Sequence, residues 1–331
     1  MDRSNLTLGA YLCDHWLPGL ESDLEKQLRP STLASYRENI RLHVISHIGK
    51  AKLQALTEAD LNRLYRKLIT EGRRDGKGPL SGRTVRYVHV LIHGALEAAV
   101  NENLVSRNVA KRAKPPRVDR GREPKAWTSD EARSFLAVAR ADRLSAMWTL
   151  LITTGARRGE IVGLTWDYVD LDSGRLRIRK ALVSIGYQVT ESLPKTSKSR
   201  RDISLDPGTV AALKEWRKSQ LEERLAWGPA YVDSGYVFTR EDGQSLHPDR
   251  VSKMFNRLVT MAGVPRIPLH GARHTAATLL LEAGIPAKVV QERLGHSSIV
   301  VTMDTYSHVV ERLDRTAAEA LALMTGVANN R

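Results

Sequence analysis

The first third of the chain carries apolar residues at helical spacing. Leu33, Tyr36, Ile40 and Val44 form one series, and Val85, Val88, Ile92, Ala95 and Ala99 another; each predicts a helix with a single buried stripe. Thr57 and Asp60 stand ahead of Leu61, Leu64 and Leu68, where a hydroxyl and a carboxylate cap the first turn of a helix. From Leu6 to about Val109 the pattern is almost wholly helical. It stops at KRAKPPRVDRGREPK, Lys111 to Lys125, with seven basic and two acidic residues, adjacent prolines and no apolar period. This predicts an interdomain linker, either a solvated tether or a strap along a phosphate backbone.

The second half is mixed. Thr128 to Glu131 is another capping box, followed by a helix through Phe135 and an apolar helix from about Leu144 to Thr153. After the turn signal Asp172-Ser173-Gly174, the run Arg175 to Val183 alternates. Leu176, Ile178 and Leu182 face one way and Arg175, Arg177 and Arg179 the other, which predicts one strand. Extended stretches at Tyr187 to Leu193 and Arg201 to Leu205 flank Pro194 to Arg200, so a small antiparallel sheet with a long hairpin is expected. Helices resume near Pro207. The fold class expected is mainly α with a small antiparallel sheet (α+β): a helical domain over 1–110, the linker over 111–125, and a second domain over 126–331 ending in a tail helix. A length of 331 residues suits two domains of roughly 150 each.

Charge narrows the function classes. Lys and Arg outnumber Asp and Glu by 51 to 37, a net charge of +14. The resulting pI near 10.0 favours a polyanionic partner over a merely solvated basic surface. The single cysteine, Cys13, forms no internal disulfide, and Met1 to Ala10 has no signal-peptide core, so a reducing, cytoplasmic location is expected. Apolar windows such as Ala146 to Thr153 and Ala276 to Leu281 are far shorter than the roughly 18 residues of a membrane span. No internal repeat is visible.

Four segments carry candidate chemistry: Thr154 to Glu160 (TGARRGE) with Arg157 and Glu160; Pro194-Lys195-Thr196; Leu269 to Thr275 (LHGARHT) with His270, Arg273 and His274; and Leu294-Gly295-His296 followed by Thr305-Tyr306. Two guanidiniums, always charged and forked, can hold a phosphate where other enzymes use a metal. His270 and Arg273 are three apart and share a helix face, although, taken apart from the neighbouring motifs, either histidine of that segment reads more readily as a packed core residue or part of a polar helix face. Gly295 reads as a helix C-cap, which puts His296 just beyond a helix end. A phenol with a pKa near 10 needs cationic neighbours and a proton acceptor before it attacks, and Tyr306 is one of nine tyrosines.

In this order and spacing the segments resemble the tyrosine recombinase (phage integrase) family, with its series Arg, Lys, His-x-x-Arg, His, Tyr. The resemblance covers nearly the whole chain. It implies a SAM-like core-binding domain and a catalytic domain of the DNA breaking-rejoining fold, closing as a clamp on double-stranded DNA. It also implies that Tyr306 attacks the scissile phosphate to give a 3′-phosphotyrosyl link and a free 5′ hydroxyl. Arg157 and Arg273 would bind the phosphate with His270, Lys195 would protonate the leaving oxygen, with Lys198 the substitute, and His296 would hydrogen-bond the phosphate. Glu160 would support them. Four protomers would join two sites for integration or excision of a mobile element, with DNA-bending or directionality proteins as possible accessories.

No ATP, metal or other cofactor is expected. The segment Gly72 to Gly78 lacks the spacing and the Ser or Thr of a phosphate loop, and His270 and His274 lack the glutamate of HExxH. The family's N-terminal arm-binding module is expected to be missing, since the core-binding pattern starts by Leu6. From Val309 to Val327 an Ala- and Leu-rich helix with Leu313, Ala317, Leu321 and Met324 near one face docks on its own domain or on a neighbouring protomer. Rival expectations are type IB topoisomerase activity, which relaxes supercoils without exchange, and a non-catalytic DNA-binding protein held by phosphate contacts.

Overall fold

The computed structural model describes residues 5–23, 28–73, 78–118, 125–192, 200–295, 298–299 and 318–325. The chain divides into two compact units, Met1–Arg122 and Glu123–Arg331.

The first unit contains α1 (Leu8–Ala10), α2 (Leu17–Ser22), α3 (Pro30–Ile40), α4 (Ser46–Ile48), α5 (Glu58–Glu71) and α6 (Gly82–Asn101). Wider i→i+5 turns at Tyr11–Trp16 and Arg41–Ile45 join α1 to α2 and α3 to α4. Leu33, Ile40 and Val44, and all five members of the Val85 to Ala99 series, are buried. Tyr36 is half-buried and stacks on Trp16. Thr57 and Asp60 form a reciprocal capping box on α5, and the Ser81 hydroxyl caps α6. The chain beyond α6 does not leave this unit at once. Ala113 packs on its core, and the Lys114 backbone N–H donates to Asn62 Oδ1 at 2.7 Å.

The second unit begins with α7 (Ser129–Ala139), α8 (Ser145–Thr154) and α9 (Arg158–Val162). It continues through β1 (Val169–Asp170), β2 (Arg175–Ile178), β3 (Ala181–Ile185), β4 (Gln188–Ser192) and β5 (Arg201–Ser204). It then returns to helix in α10 (Pro207–Trp227), α11 (Pro248–Met261), α12 (Leu269–Glu282) and α13 (Ala287–Leu294). Residues 318–324 are also helical. Among the described residues no helix is long and apolar enough to cross a membrane.

The strands depart from the expected single sheet. Arg175 to Val183 is not one strand: β2 pairs with β1 and β5, whereas β3 pairs with β4 in a separate sheet. The two-residue turn Gly186-Tyr187, with φ of 55° and 68°, closes the β3–β4 hairpin. The segment after β4 therefore joins two different sheets, and β4 and β5 do not form a hairpin. The break falls at Arg179 and Lys180. Arg179 donates to the carbonyls of Ile178 and Arg201 at 3.1 and 3.2 Å, which occupies acceptors at the end of the β2–β5 ladder. Gly159 in α9 and Gly163, which caps its C-terminus, then let β3 pack closely against that helix. A Cβ on Gly159 would lie 2.6 Å from the Leu182 carbonyl oxygen, and one on Gly163 2.8 Å from the Leu182 nitrogen. Leu176, Ile178 and Leu182 are all buried as their alternation predicts, so the pattern cannot register the change of sheet.

Trp127, Phe135, Trp148 and Phe255 fill the core between α7, α8 and α11, with ring centroids 5.0 to 6.4 Å apart. Trp127 also fastens the start of the unit to α12. Its backbone N–H donates to Thr275 Oγ1 at 2.9 Å and its indole N–H to the Pro265 carbonyl at 2.8 Å. Trp127→Ala is expected to cost about 3–5 kcal/mol from lost burial, the cavity left behind and the lost indole bond. Urea unfolding of the second unit's signal measures this, and a loss under about 1 kcal/mol would contradict the packing role.

Candidate active site

Three helix ends converge in the second unit. α8 ends at Gly155, which adopts the left-handed conformation with φ 61°. A Cβ there would lie 2.6 Å from Leu294 Cδ2 and 3.0 Å from Ala276 Cβ, so glycine is needed both for the turn and for the approach of α12 and α13. α13 ends at Gly295, also left-handed with φ 70°. α9 starts at Arg157, the extended residue that caps it.

Helix C-termini leave carbonyls without intrahelical partners. Here guanidiniums meet them. Arg273 donates Nη1 to the Gly155 carbonyl at 2.9 Å and Nη2 to the Leu294 carbonyl at 2.7 Å. Arg157 donates Nη2 to the Gly295 carbonyl at 3.0 Å. Arg293 donates to the Thr153 carbonyl at 3.1 Å, and Arg201 Nε to the Arg293 carbonyl at 2.7 Å. Carbonyl acceptors satisfy the N–H groups without cancelling their charge. The one carboxylate bonded to this group among the described residues is Glu160. It accepts from Arg157 N and Nη1, both at 2.8 Å, and from Arg201 Nη1 and Nη2 at 3.1 and 2.8 Å. Among the described residues, four guanidiniums gather around this one bonded carboxylate, with Asp206 near Arg293, an excess of positive charge of the kind that suits a phosphate.

Glu160 is buried, which by itself would raise its pKa. The hydrogen bonds and charge of Arg201, then the charge of Arg157, outweigh burial and bring it down to about 2. Its folded pKa lies below the ordinary value of 4.5. The stability it contributes is therefore full above that value and is lost as pH falls from about 4.5 through about 2. The size is about 3 kcal/mol. Glu160→Gln should flatten this acid limb relative to wild type in urea unfolding followed from pH 6 to pH 2. Parallel curves for the two proteins would refute the assignment.

His270 and Arg273 lie in the first two turns of α12, three residues apart as predicted. Arg273 is only 2% exposed, whereas His270 is exposed and Arg157 half-buried. Desolvation of the His270 ring, with the charges of Arg273 and Arg157, holds its pKa below the ordinary histidine range. His274 packs edge-to-face on His270 with ring centroids 5.1 Å apart. Desolvation, then His270 and Arg273, lowers its pKa to about 4. Both rings are thus neutral near pH 7.

The structure brings together Arg157, Glu160, His270 and Arg273. Lys195, His296 and Tyr306, with Lys198, lie outside the described residues. Two members were missed from sequence. Arg201 occupies a buried position of β5, alternating with Ile203, and a basic residue in that phase was the available signal. Arg293 stands in the last turn of α13, where a cation suits helix-end carbonyls.

A model of the phage integrase family matches residues 125–312, and a model of the phage integrase N-terminal SAM-like domain matches residues 10–69. The chain belongs to the phage integrase family of tyrosine recombinases, enzymes that cleave and rejoin DNA strands. It is 29% identical over 339 aligned residues to a tyrosine recombinase XerC-like protein of Caldanaerobacter subterraneus, covering 97% of this chain and 84% of that one. Its fold is similar to that of the Tn1549 transposon integrase in complex with a circular intermediate DNA. The TM-score is 0.76 at 20% identity, with 96% of this chain and 100% of that one covered. It is similar also to a lambda integrase tetramer bound to a Holliday junction, with a TM-score of 0.65, 18% identity, and 91% and 77% covered. The expected fold class and the DNA-rejoining activity are borne out; a non-catalytic DNA-binding role is set aside.

Proposed function

We propose that this recombinase integrates or excises a mobile element by site-specific strand exchange on double-stranded DNA, with Tyr306 as its nucleophile. The carrying observation is the convergence of Arg157 and Arg273, both fastened to the carbonyls that end α8 and α13, with Arg157 also paired to Glu160. In this reading both guanidiniums bind non-bridging oxygens of the scissile phosphate and stabilise the charge that grows there. The neutral ring of His270 accepts the phenol proton as the Tyr306 oxygen attacks phosphorus. The bond to the 5′ oxygen breaks, and Lys195 supplies the proton that oxygen needs. His296 donates a hydrogen bond to the phosphate, and Glu160 orients Arg157. Attack by the 5′ hydroxyl of another strand reverses these steps and releases Tyr306. One ester replaces another, so no nucleotide hydrolysis is required.

Four protomers on two sites is the assembly proposed, supported by the lambda integrase tetramer. Exposed Leu321, Leu323 and Met324 on the tail helix suit an apolar contact between protomers. DNA-bending or directionality proteins belong to the same proposal. The domain division proposed is a DNA-binding unit over 1–110, a linker over 111–125 and a catalytic unit over 126–331.

The test is a duplex carrying the element's attachment junction, nicked beside the crossover so that the 5′ hydroxyl is lost by diffusion. A denaturant-resistant protein–DNA adduct is expected, and peptide mapping should place the nucleotide on Tyr306. An adduct on another residue would overturn the nucleophile. Tight binding without any adduct would overturn the catalytic reading of this site.

A further inference from the structure

We propose that Arg201 is a positioning residue for strand cleavage: through Glu160 it fixes the guanidinium of Arg157 in the orientation that meets the scissile phosphate. The proposal rests on the reading of Arg157 as a phosphate-binding group.

Arg201 opens β5, and only 5% of its side chain is exposed. Its two terminal nitrogens bond the two oxygens of Glu160 in the parallel fork-to-fork arrangement, and its third donor, Nε, bonds the Arg293 carbonyl. A Cβ on Gly295 would lie 3.0 Å from Arg201 Cδ and Nη1, so the guanidinium lies flush against the residue whose carbonyl holds Arg157 Nη2. Arg157 is thus gripped at two points, Glu160 and Gly295, and Arg201 is in contact with both. The strand beneath it is fixed as well. Leu176 pairs with Ile203 and Ile178 with Arg201 across β2 and β5.

A buried ion pair contributes little net stability compared with an apolar pair of the same volume, because both charges lose their hydration. What this pair does supply is geometry. Without Arg201, the Glu160 carboxylate would be held by Arg157 itself, through its backbone N–H and Nη1, and would move with that side chain. With one oxygen facing Arg201 Nη1 and the other Nη2, the carboxylate plane is fixed. Arg157 is only half-buried, so without that fixed plane its side chain is free to turn toward solvent.

The experiment compares single-turnover cleavage of two nicked duplexes by the full-length protein. One has an ordinary scissile phosphate. The other carries a methyl group in place of one non-bridging oxygen, which removes the negative charge a guanidinium would neutralise. Arg201→Met is expected to slow cleavage of the ordinary duplex about 100-fold, a typical loss for one misaligned group of this kind. On the methyl-substituted duplex the deficit should shrink to below about tenfold, since charge neutralisation is no longer needed. Arg157→Ala is the control. If its deficit persists unchanged on the methyl-substituted duplex, the reading of Arg157 fails. If its deficit shrinks but that of Arg201→Met does not, the reading of Arg157 stands and the proposal for Arg201 fails.

A general loss of fold is separated by the double variant Glu160→Met, Arg201→Met, which replaces the ion pair by two apolar side chains of similar length. It should unfold at a urea midpoint close to that of wild type and still show the deficit on the ordinary duplex and its relief on the methyl-substituted one. Wild-type cleavage of the ordinary duplex by that folded double variant would overturn the proposal.

Discussion

Tyr306→Phe is expected to bind duplex DNA as wild type does, to unfold at the same urea concentration, and to form no covalent adduct. The substitution removes a single oxygen, the atom that in the proposed reading joins phosphorus, and leaves the aromatic ring. Water lacks the fixed position that makes in-line attack efficient, and the worth of such positioning is about 7–11 kcal/mol. The measurement pairs a band-shift titration with denaturing electrophoresis of the nicked duplex. Adduct formation at more than about one-thousandth of the wild-type rate would place the nucleophile elsewhere.

Arg273→Ala is expected to fail both in cleavage and in stability. Arg273 lies almost fully buried between the ends of α8 and α13, bonding one carbonyl of each. Truncation leaves the Gly155 and Leu294 carbonyls without those donors and opens a cavity, at a cost of about 3–5 kcal/mol. In the proposed reading it also removes a charge that stabilises the scissile phosphate, an expected loss of about 10³-fold or more in cleavage. Arg273→Lys separates the two effects. An ammonium restores the charge, but its compact head cannot reproduce the planar fork that spans two carbonyls on different helices. The lysine variant should recover part of the stability and little of the cleavage rate. Urea unfolding and single-turnover cleavage measure the two losses, and an alanine variant that cleaves within tenfold of wild type would sink the phosphate-binding role.

Much of the fold was legible because its signals are local. The stripes on α3 and α6, the boxes capping α5 and α7, and the left-handed Gly295 after α13 each depend on residues within a turn or two of one another. Strand pairing is not local. Arg179 and Lys180 sit within an unbroken alternation, yet β2 and β3 go to different sheets, because Gly159 in α9 and its cap Gly163 admit the backbone of Leu182 from more than a dozen residues away. The site divides in the same way. Arg157, Glu160, His270 and Arg273 were named from short segments, but a lone arginine at the start of a strand or in the last turn of a helix has no motif to mark it. Arg201 and Arg293 emerge only where their targets are seen.

The sequence by itself determined the helical character of the chain, its basic charge and the candidate residues in their order. Those properties follow from periodicity, capping and side-chain chemistry, all readable along a line. Tertiary structure alone decided that the C-terminal ends of α8 and α13 meet, so that carbonyls from residues 153–155 and 293–295 face four guanidiniums. A peptide carbonyl is the same group at every position. Which ones are left over at helix ends, and which charged side chains reach them, depends on how the helices pack.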